Sequence, residues 1–376
     1  MRNPLGQPAR RTLDTLLALD REAAEHGLTA ERIAILTQVS STYGRLGDRA
    51  SGERIAAECV EMAERVGDPA LLADSLNRYA ITMELRDPEA AKAIYGRALA
   101  LYEARADFRG QARIHNNIGV VAQLQGRLDE AARELATAIA LARTAGMPDF
   151  WGAAALNLGV MMLKAGSHER ARELLSEALS LFATVKNSEL QLYALYNLAH
   201  LERERGEHQS AAELYELAVS LAQRIGQVDV EAGALGGGGL SMLELSDVAA
   251  ATTMFRSSAA RLQDRDDWFL GRELVELLGI RIALAEGRAD DAVAHFERAG
   301  ATADSADLYS AAWLAAECAP LLQPHAPELV ADRVAYYAGR VNELGFVDMT
   351  ARYGRLVARL SGPGEGSGGA STGLIA

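Results

Sequence analysis

Apolar side chains recur along this chain at i, i+4, i+7 and i+10, and they do so in blocks. One block carries Ala131, Leu135, Ala138 and Leu141. The next carries Ala171, Leu175, Ala178 and Leu181, and a third carries Ala211, Tyr215, Ala218 and Leu221. That spacing puts each set on one face of an amphipathic α-helix. The small residues at i and i+7 let a neighbouring helix approach closely, and the large residue at i+4 fills the gap between helices. Another helix precedes each block, marked by Asn117-Ile118-Gly119, Asn157-Leu158-Gly159 and Asn197-Leu198-Ala199. No segment alternates with period two over several residues, so almost no strand is expected.

Glycine separates the two helices of each pair. Gly47, Gly126, Gly166, Gly206 and Gly287 sit in similar surroundings, with Arg86 and Ser246 in the two intervening slots; the successive spacings are 39, 40, 40, 40, 40 and 41 residues. A left-handed backbone is inexpensive for Gly, so it stops the first helix. Acidic residues such as Glu130, Glu169 and Asp291 open the second helix, where the positive end of the helix dipole favours them. Asp87-Pro88 offers an N-cap followed by a Pro at the first helical position. Gly67-Asp68-Pro69 and Gly146-Met147-Pro148 mark return turns between pairs.

The small residues Gly119, Gly159 and Ala199, the turn Gly and the Ala/large/Ala pattern together resemble the tetratricopeptide repeat. The resemblance covers roughly residues 28–345. The family's usual period is about 34 residues, and the longer unit here is similar to the repeats of kinesin light chains and of the sensor regions of maltose-regulator-type bacterial transcription factors. Six extra residues add about 9 Å of helix per repeat, shared between two helices. The resemblance implies an all-α, right-handed superhelical solenoid of antiparallel helix pairs, with about eight repeats. The ends depart from the pattern. The first repeat has Gly52, Ala56 and Cys59 where Ala, a large residue and Ala are expected, and the eighth replaces its Gly turn with Gln323-Pro324-His325-Ala326-Pro327. Atypical terminal repeats suit capping, since each end meets water. The expected organisation is an N-terminal capping helix or truncated repeat over 1–27, the solenoid over 28–345, a C-terminal helix over 346–360 and a disordered Gly/Ser-rich tail over 361–376.

Composition narrows the functional classes. The chain has 376 residues, is 49% hydrophobic and 24% charged, and carries a formal net charge of −13. Two or three domains would be the expectation from length alone, but one quasi-linear array accounts for it as well. The acidic balance argues against direct nucleic-acid or anionic-membrane binding. No apolar run approaches the length of a membrane span, and the first residues lack a signal-peptide apolar region, so a cytoplasmic location is expected. Cys59 and Cys318 make neither a disulfide framework nor a zinc site by spacing. Phosphate-loop, zincin, nucleophile-elbow and dinucleotide motifs are missing, and the seven His are scattered; no enzyme activity, cofactor or metal is expected.

The most informative polar feature is the series Asn77, Asn117, Asn157 and Asn197, each 40 residues from the next. Asn is a mediocre helix former, so its return at one position suggests a shared role. In the family this position lines the concave groove, and a carboxamide offers both donor and acceptor to a bound peptide. A hydrogen-bond ladder between repeats, or inheritance from one duplicated unit, is the alternative. Helical spacing projects Arg113 and Asn116 in one repeat, and Tyr193, Tyr196, His200 and Arg203 in another, onto the same face. The expected groove is neutral to mildly basic, with apolar and aromatic patches. It lacks the lysines with which chaperone-binding relatives clamp a terminal carboxylate.

Gly236 to Gly239 interrupt the Asn series, and each Gly inside a helix costs about 1 kcal/mol relative to Ala. Close helix packing, a pocket floor, a hinge and a frayed helix all remain open. The function that these features imply is a non-catalytic scaffold binding a protein or peptide segment in the groove. The alternative is the sensing module of a bacterial transcriptional or signal-transduction regulator. Replacing Asn117 and Asn157 together with Ala separates the two readings of the series: lost partner binding at unchanged melting temperature marks a ligand role, and lost stability with retained binding marks a ladder.

Overall fold

The computed structural model describes residues 6–262, 270–303 and 308–361. Among these residues every regular element is helical and none is a strand. The chain divides into two compact units, Met1–Ile225 and Gly226–Ala376. The first holds α1 (Gly6–Glu25), α2 (Thr29–Arg45), α3 (Arg49–Val66), α4 (Pro69–Met83), α5 (Pro88–Ala104), α6 (Phe108–Leu124), α7 (Leu128–Thr144), α8 (Pro148–Lys164), α9 (His168–Thr184), α10 (Ser188–Glu204) and α11 (His208–Ile225). The second holds α12 (Val228–Glu244), α13 (Val248–Arg261), α14 (Arg272–Ala285), α15 (Ala289–Ala303), α16 (Leu308–Leu322), α17 (Pro327–Ala338), a single 3-10 turn at Val341–Leu344 and α18 (Val347–Ser361). Each unit is a solenoid of antiparallel helix pairs. Apart from Ser361, the expected Gly/Ser-rich tail lies outside the described residues.

The turns within pairs follow the glycine spacing. Gly47, Gly126, Gly166, Gly206 and Gly287 are all left-handed, with φ between 70° and 80°, and Ser246 adopts the same conformation at φ 62°. Arg86 does not. There α4 already ends at Met83, three residues before the slot, and Asp87 takes φ −145° and ψ 78° ahead of Pro88. A second left-handed series joins one pair to the next: Gly27, Gly67, Ala106, Gly146, Lys186 and Gly226. Sequence reading found only its glycines Gly67 and Gly146. Asp48, Asp68, Asp87, Asp107, Asn187 and Asp247 accept hydrogen bonds from first-turn amides and so cap the helices they precede.

The core is built by large residues of second helices entering gaps on first helices. A Cβ on Gly119 would lie 2.8 Å from Leu135, and one on Gly159 2.9 Å from Leu175. Ala131, Leu135, Ala171, Leu175, Ala178, Ala211, Tyr215 and Ala218 are all fully buried. The fourth member of the pattern shifts by one residue in two blocks: Leu141 and Leu181 are half-buried, and Ala142 and Phe182 are fully buried instead, while in the third Leu221 is buried as expected, together with Ala222. The reason is angular. At about 100° per residue, i+11 returns to within about 20° of the starting face, whereas i+10 falls about 80° short. Phe182 fills the space that Gly152 leaves, where a Cβ would meet its ring at 2.8 Å.

The four-glycine run lies within an unbroken helix, α12, with all four residues buried. α12 packs on α13 and α14. A Cβ on Gly236 would sit 2.7 Å from the amide nitrogen of Val275 and 3.0 Å from the carbonyl carbon of Leu274. Backbone meets backbone there, so the helix is packed closely and is not frayed. Gly236→Ala should therefore lower stability by roughly 1–3 kcal/mol. Gly96→Ala, at an exposed helical position with open space around it, should raise it by roughly 0.5–1 kcal/mol. Urea denaturation followed by circular dichroism checks both, and a neutral or stabilising Gly236→Ala would refute the close contact.

Candidate partner-binding groove

In the first unit the helices that open each pair, α2, α4, α6, α8 and α10, touch one another in succession; the second helices α3, α5, α7, α9 and α11 come no comparably close to each other. Helices crowd together on the inner side of a curved array and spread apart on its outer side. The row of first helices is therefore the inner face of this unit, and it carries every candidate residue named above.

The Asn series forms hydrogen bonds across that row. Asn157 Nδ2 on α8 donates to Asn116 Oδ1 on α6 at 2.9 Å. Asn116 Nδ2 donates to the neighbouring Asn117 Oδ1 at 3.3 Å, and Asn117 Nδ2 donates to Asn77 Oδ1 on α4 at 3.0 Å. Asn77 is only 6% exposed, while Asn116, Asn117 and Asn157 are half-buried. The chain ends at α8, since Asn197 Nδ2 turns back to the carbonyl of Tyr193 at 2.8 Å. Asn157 Oδ1 accepts no bond from the described residues.

The basic groups on this face are matched by acids. The Arg113 guanidinium, which stacks over the Tyr102 ring at 5.6 Å, donates to Asp74 and to the Tyr102 hydroxyl; that hydroxyl in turn donates to Asp74 at 2.6 Å. On α10, Arg203 donates to Glu204 and, at 3.3 Å, to His200 Nε2. An Nε2 that accepts from a guanidinium carries no proton. Burial pushes the His200 imidazole below its usual range, against the opposing pull of Glu204. Tyr193 is half-buried. Tyr196 is 1% exposed and lies edge-on to Tyr215, with ring centroids 6.0 Å apart; it packs between α10 and α11. Asp74, Tyr102 and Glu204 did not emerge from the sequence. The positions 40 and 80 residues after Asp74 hold Ile114 and Ala154, so the repeat carries no signal for that contact.

Residues 152–224 match the tetratricopeptide repeat. Solved structures extend the likeness of fold over more of the chain. The apo form of RapI is 12% identical, with a TM-score of 0.60, covering 94% of this chain and 99% of that one. The apo quorum sensor NprR from B. thuringiensis is 15% identical, with a TM-score of 0.54, covering 94% and 97%. A Rap protein in complex with competence and sporulation factor is 16% identical, with a TM-score of 0.53, covering 88% and 98%. No curated protein matches the chain by sequence. Among the described residues no helix is long and apolar enough to cross a membrane.

Two outcomes follow from this geometry. Asn117→Ala leaves the buried Asn77 carbonyl without its donor and should cost roughly 1–3 kcal/mol, and a double-mutant cycle with Asn77→Ala should show clear coupling; additive losses would rule the bond out. For His200, the unfolded ring binds a proton near its ordinary pKa of 6.5 and the folded ring resists it. Its contribution is thus intact above that value and lost as pH falls below it. His200→Gln should lose less stability than the wild type between pH 7 and 5.5 in parallel urea titrations; equal losses would show that His200 does not titrate against folding.

Proposed function

We propose that this protein is a non-catalytic interaction module whose inner face, on α6, α8 and α10, binds an extended peptide or partner segment. One observation carries the reading: carboxamides recur in register along adjoining first helices, three of them half-buried, with the half-buried Tyr193 and charge-balanced arginines on the same row. Such a surface can hydrogen-bond a peptide backbone and accept apolar side chains without imposing a strong charge preference. Asn157, with a carbonyl oxygen unused in the fold, and the half-buried Tyr193 are its central contacts, while Asn77 and Asn117 chiefly hold the helices in register.

A regulatory role is the finer form of this reading. The full-length likeness of fold to NprR, a quorum sensor, and to a Rap protein held with competence and sporulation factor supports a sensor that receives a signal on its inner face, in the cytoplasm of a bacterium. Selection from a displayed peptide library against the full chain tests the reading. Enriched peptides should bind Tyr193→Ala and Asn157→Ala at least about tenfold more weakly, as expected for truncated contacts at the centre of an interface, with the melting temperature held. Peptides that bind both variants as tightly as the wild type would place the interface elsewhere.

A further inference from the structure

The first two repeats enclose a cavity of about 500 Å³ between α2, α3 and α4. Its origin is visible in the repeat register. Three residues before the turn position, the other repeats carry Met83, Gln123, Leu163, Arg203, Leu243 and Leu284; the first has Gly44. Five residues after it they carry Ala91, Ala131, Ala171, Ala211, Ala251 and Ala292; the first has Gly52. Two side chains are thus missing on the same side of the first pair. Gly52 is held against α2 by the Ser40 hydroxyl, which donates to its carbonyl at 2.8 Å. The space left by Gly44 stays open.

What lines the space is cationic and apolar. Arg49, Arg78 and Arg86 face it, with Glu53 as the sole acid among its lining residues. Glu53 is taken by Arg86 at 2.5 Å. Arg78 has no ion pair or hydrogen bond within the described residues, and its Nε is buried without a partner. Burial lowers its pKa, and the carboxylate that acts on it, Glu84, is itself pushed towards its neutral form by burial and is hydrogen-bonded by Tyr95. A half-buried guanidinium kept without a counter-ion is costly. The end of α3 does not supply this charge, because Asp48 already caps it. Ile81 and the 63%-exposed Leu85 form an apolar wall beside the arginines. In a chain of net charge −13, the lining sums to +2.

We propose that this cavity binds a small organic anion: a phosphate or carboxylate group seated on Arg78 and Arg49, attached to a compact apolar body against Ile81 and Leu85. Guanidinium forks match both oxyanions in bidentate geometry, and the volume lies within the range of small-molecule sites. The site stands apart from the groove residues on α6 to α10 and does not depend on their role.

Titration calorimetry of the full chain at low ionic strength, with phenyl phosphate, phenylacetate, inorganic phosphate and benzyl alcohol, tests it. One of the two aromatic anions should bind saturably at one site per chain, and the tighter one identifies the oxyanion. Inorganic phosphate and benzyl alcohol should each bind at least about tenfold more weakly. Arg78→Met keeps the aliphatic stem and should abolish binding. Leu85→Glu, an exposed change that leaves the core intact, should do the same with the melting temperature unchanged. The proposal is overturned if neither aromatic anion saturates, if inorganic phosphate binds as well as phenyl phosphate, or if either variant binds like the wild type.

Discussion

The contact on which the rest of this structure depends is the entry of one large side chain from a second helix into a gap left by a small residue on a first helix. Leu135 at Gly119, Leu175 at Gly159 and Phe182 at Gly152 are so close that a single added methyl group would collide with them. Burying a leucine or phenylalanine in this way contributes roughly 1.5–3 kcal/mol each, and it also sets the distance and rotation between helices. Once the pair spacing is set, the turn residues 20 positions apart are constrained to close the chain, and the left-handed conformation recurs even where Ala106, Lys186 and Ser246 must adopt it without glycine's freedom.

Close packing of the first helices has a polar consequence. Where α4, α6 and α8 come together, their shared face buries carboxamides, and a buried amide must find a partner. The Asn157–Asn116–Asn117–Asn77 chain meets that need within the protein. The same residues cannot offer every donor and acceptor to a ligand, so the inner face is divided. The asparagines of its α4–α6 end bond one another, whereas on α8 and α10 Asn157 and Tyr193 retain exposed surface. Balanced pairs such as Arg113 with Asp74 and Arg203 with Glu204 keep that surface close to neutral in a strongly acidic chain.

Much of the fold was legible in the sequence because repetition makes each weak signal count several times. The Ala/large/Ala pattern, the turn glycines and the absence of period-two alternation all point to helix pairs. The misses are angular or local. Leu141 and Leu181 looked like core residues until the helix rotation placed Ala142 and Phe182 there. Arg86 occupied a turn slot by count but not by conformation, since α4 ends at Met83, three residues ahead of it. The candidate site was less legible. Its residues lie on the inner row, but Tyr196 is packed against Tyr215, and the partners of Arg113 sit at positions with no counterpart in other repeats.

The sequence by itself determined the helices, their pairing and the side of each helix that faces its partner, because these depend on spacing along one chain segment and on residue size. Tertiary structure alone decided which asparagines hydrogen-bond one another and that Gly236 must be glycine for Val275 to approach. It also left Arg78 beside an unfilled space. These are relations between residues on different helices, where an ångström of helix displacement determines whether two groups bond, collide or leave a cavity, and periodicity does not encode that ångström.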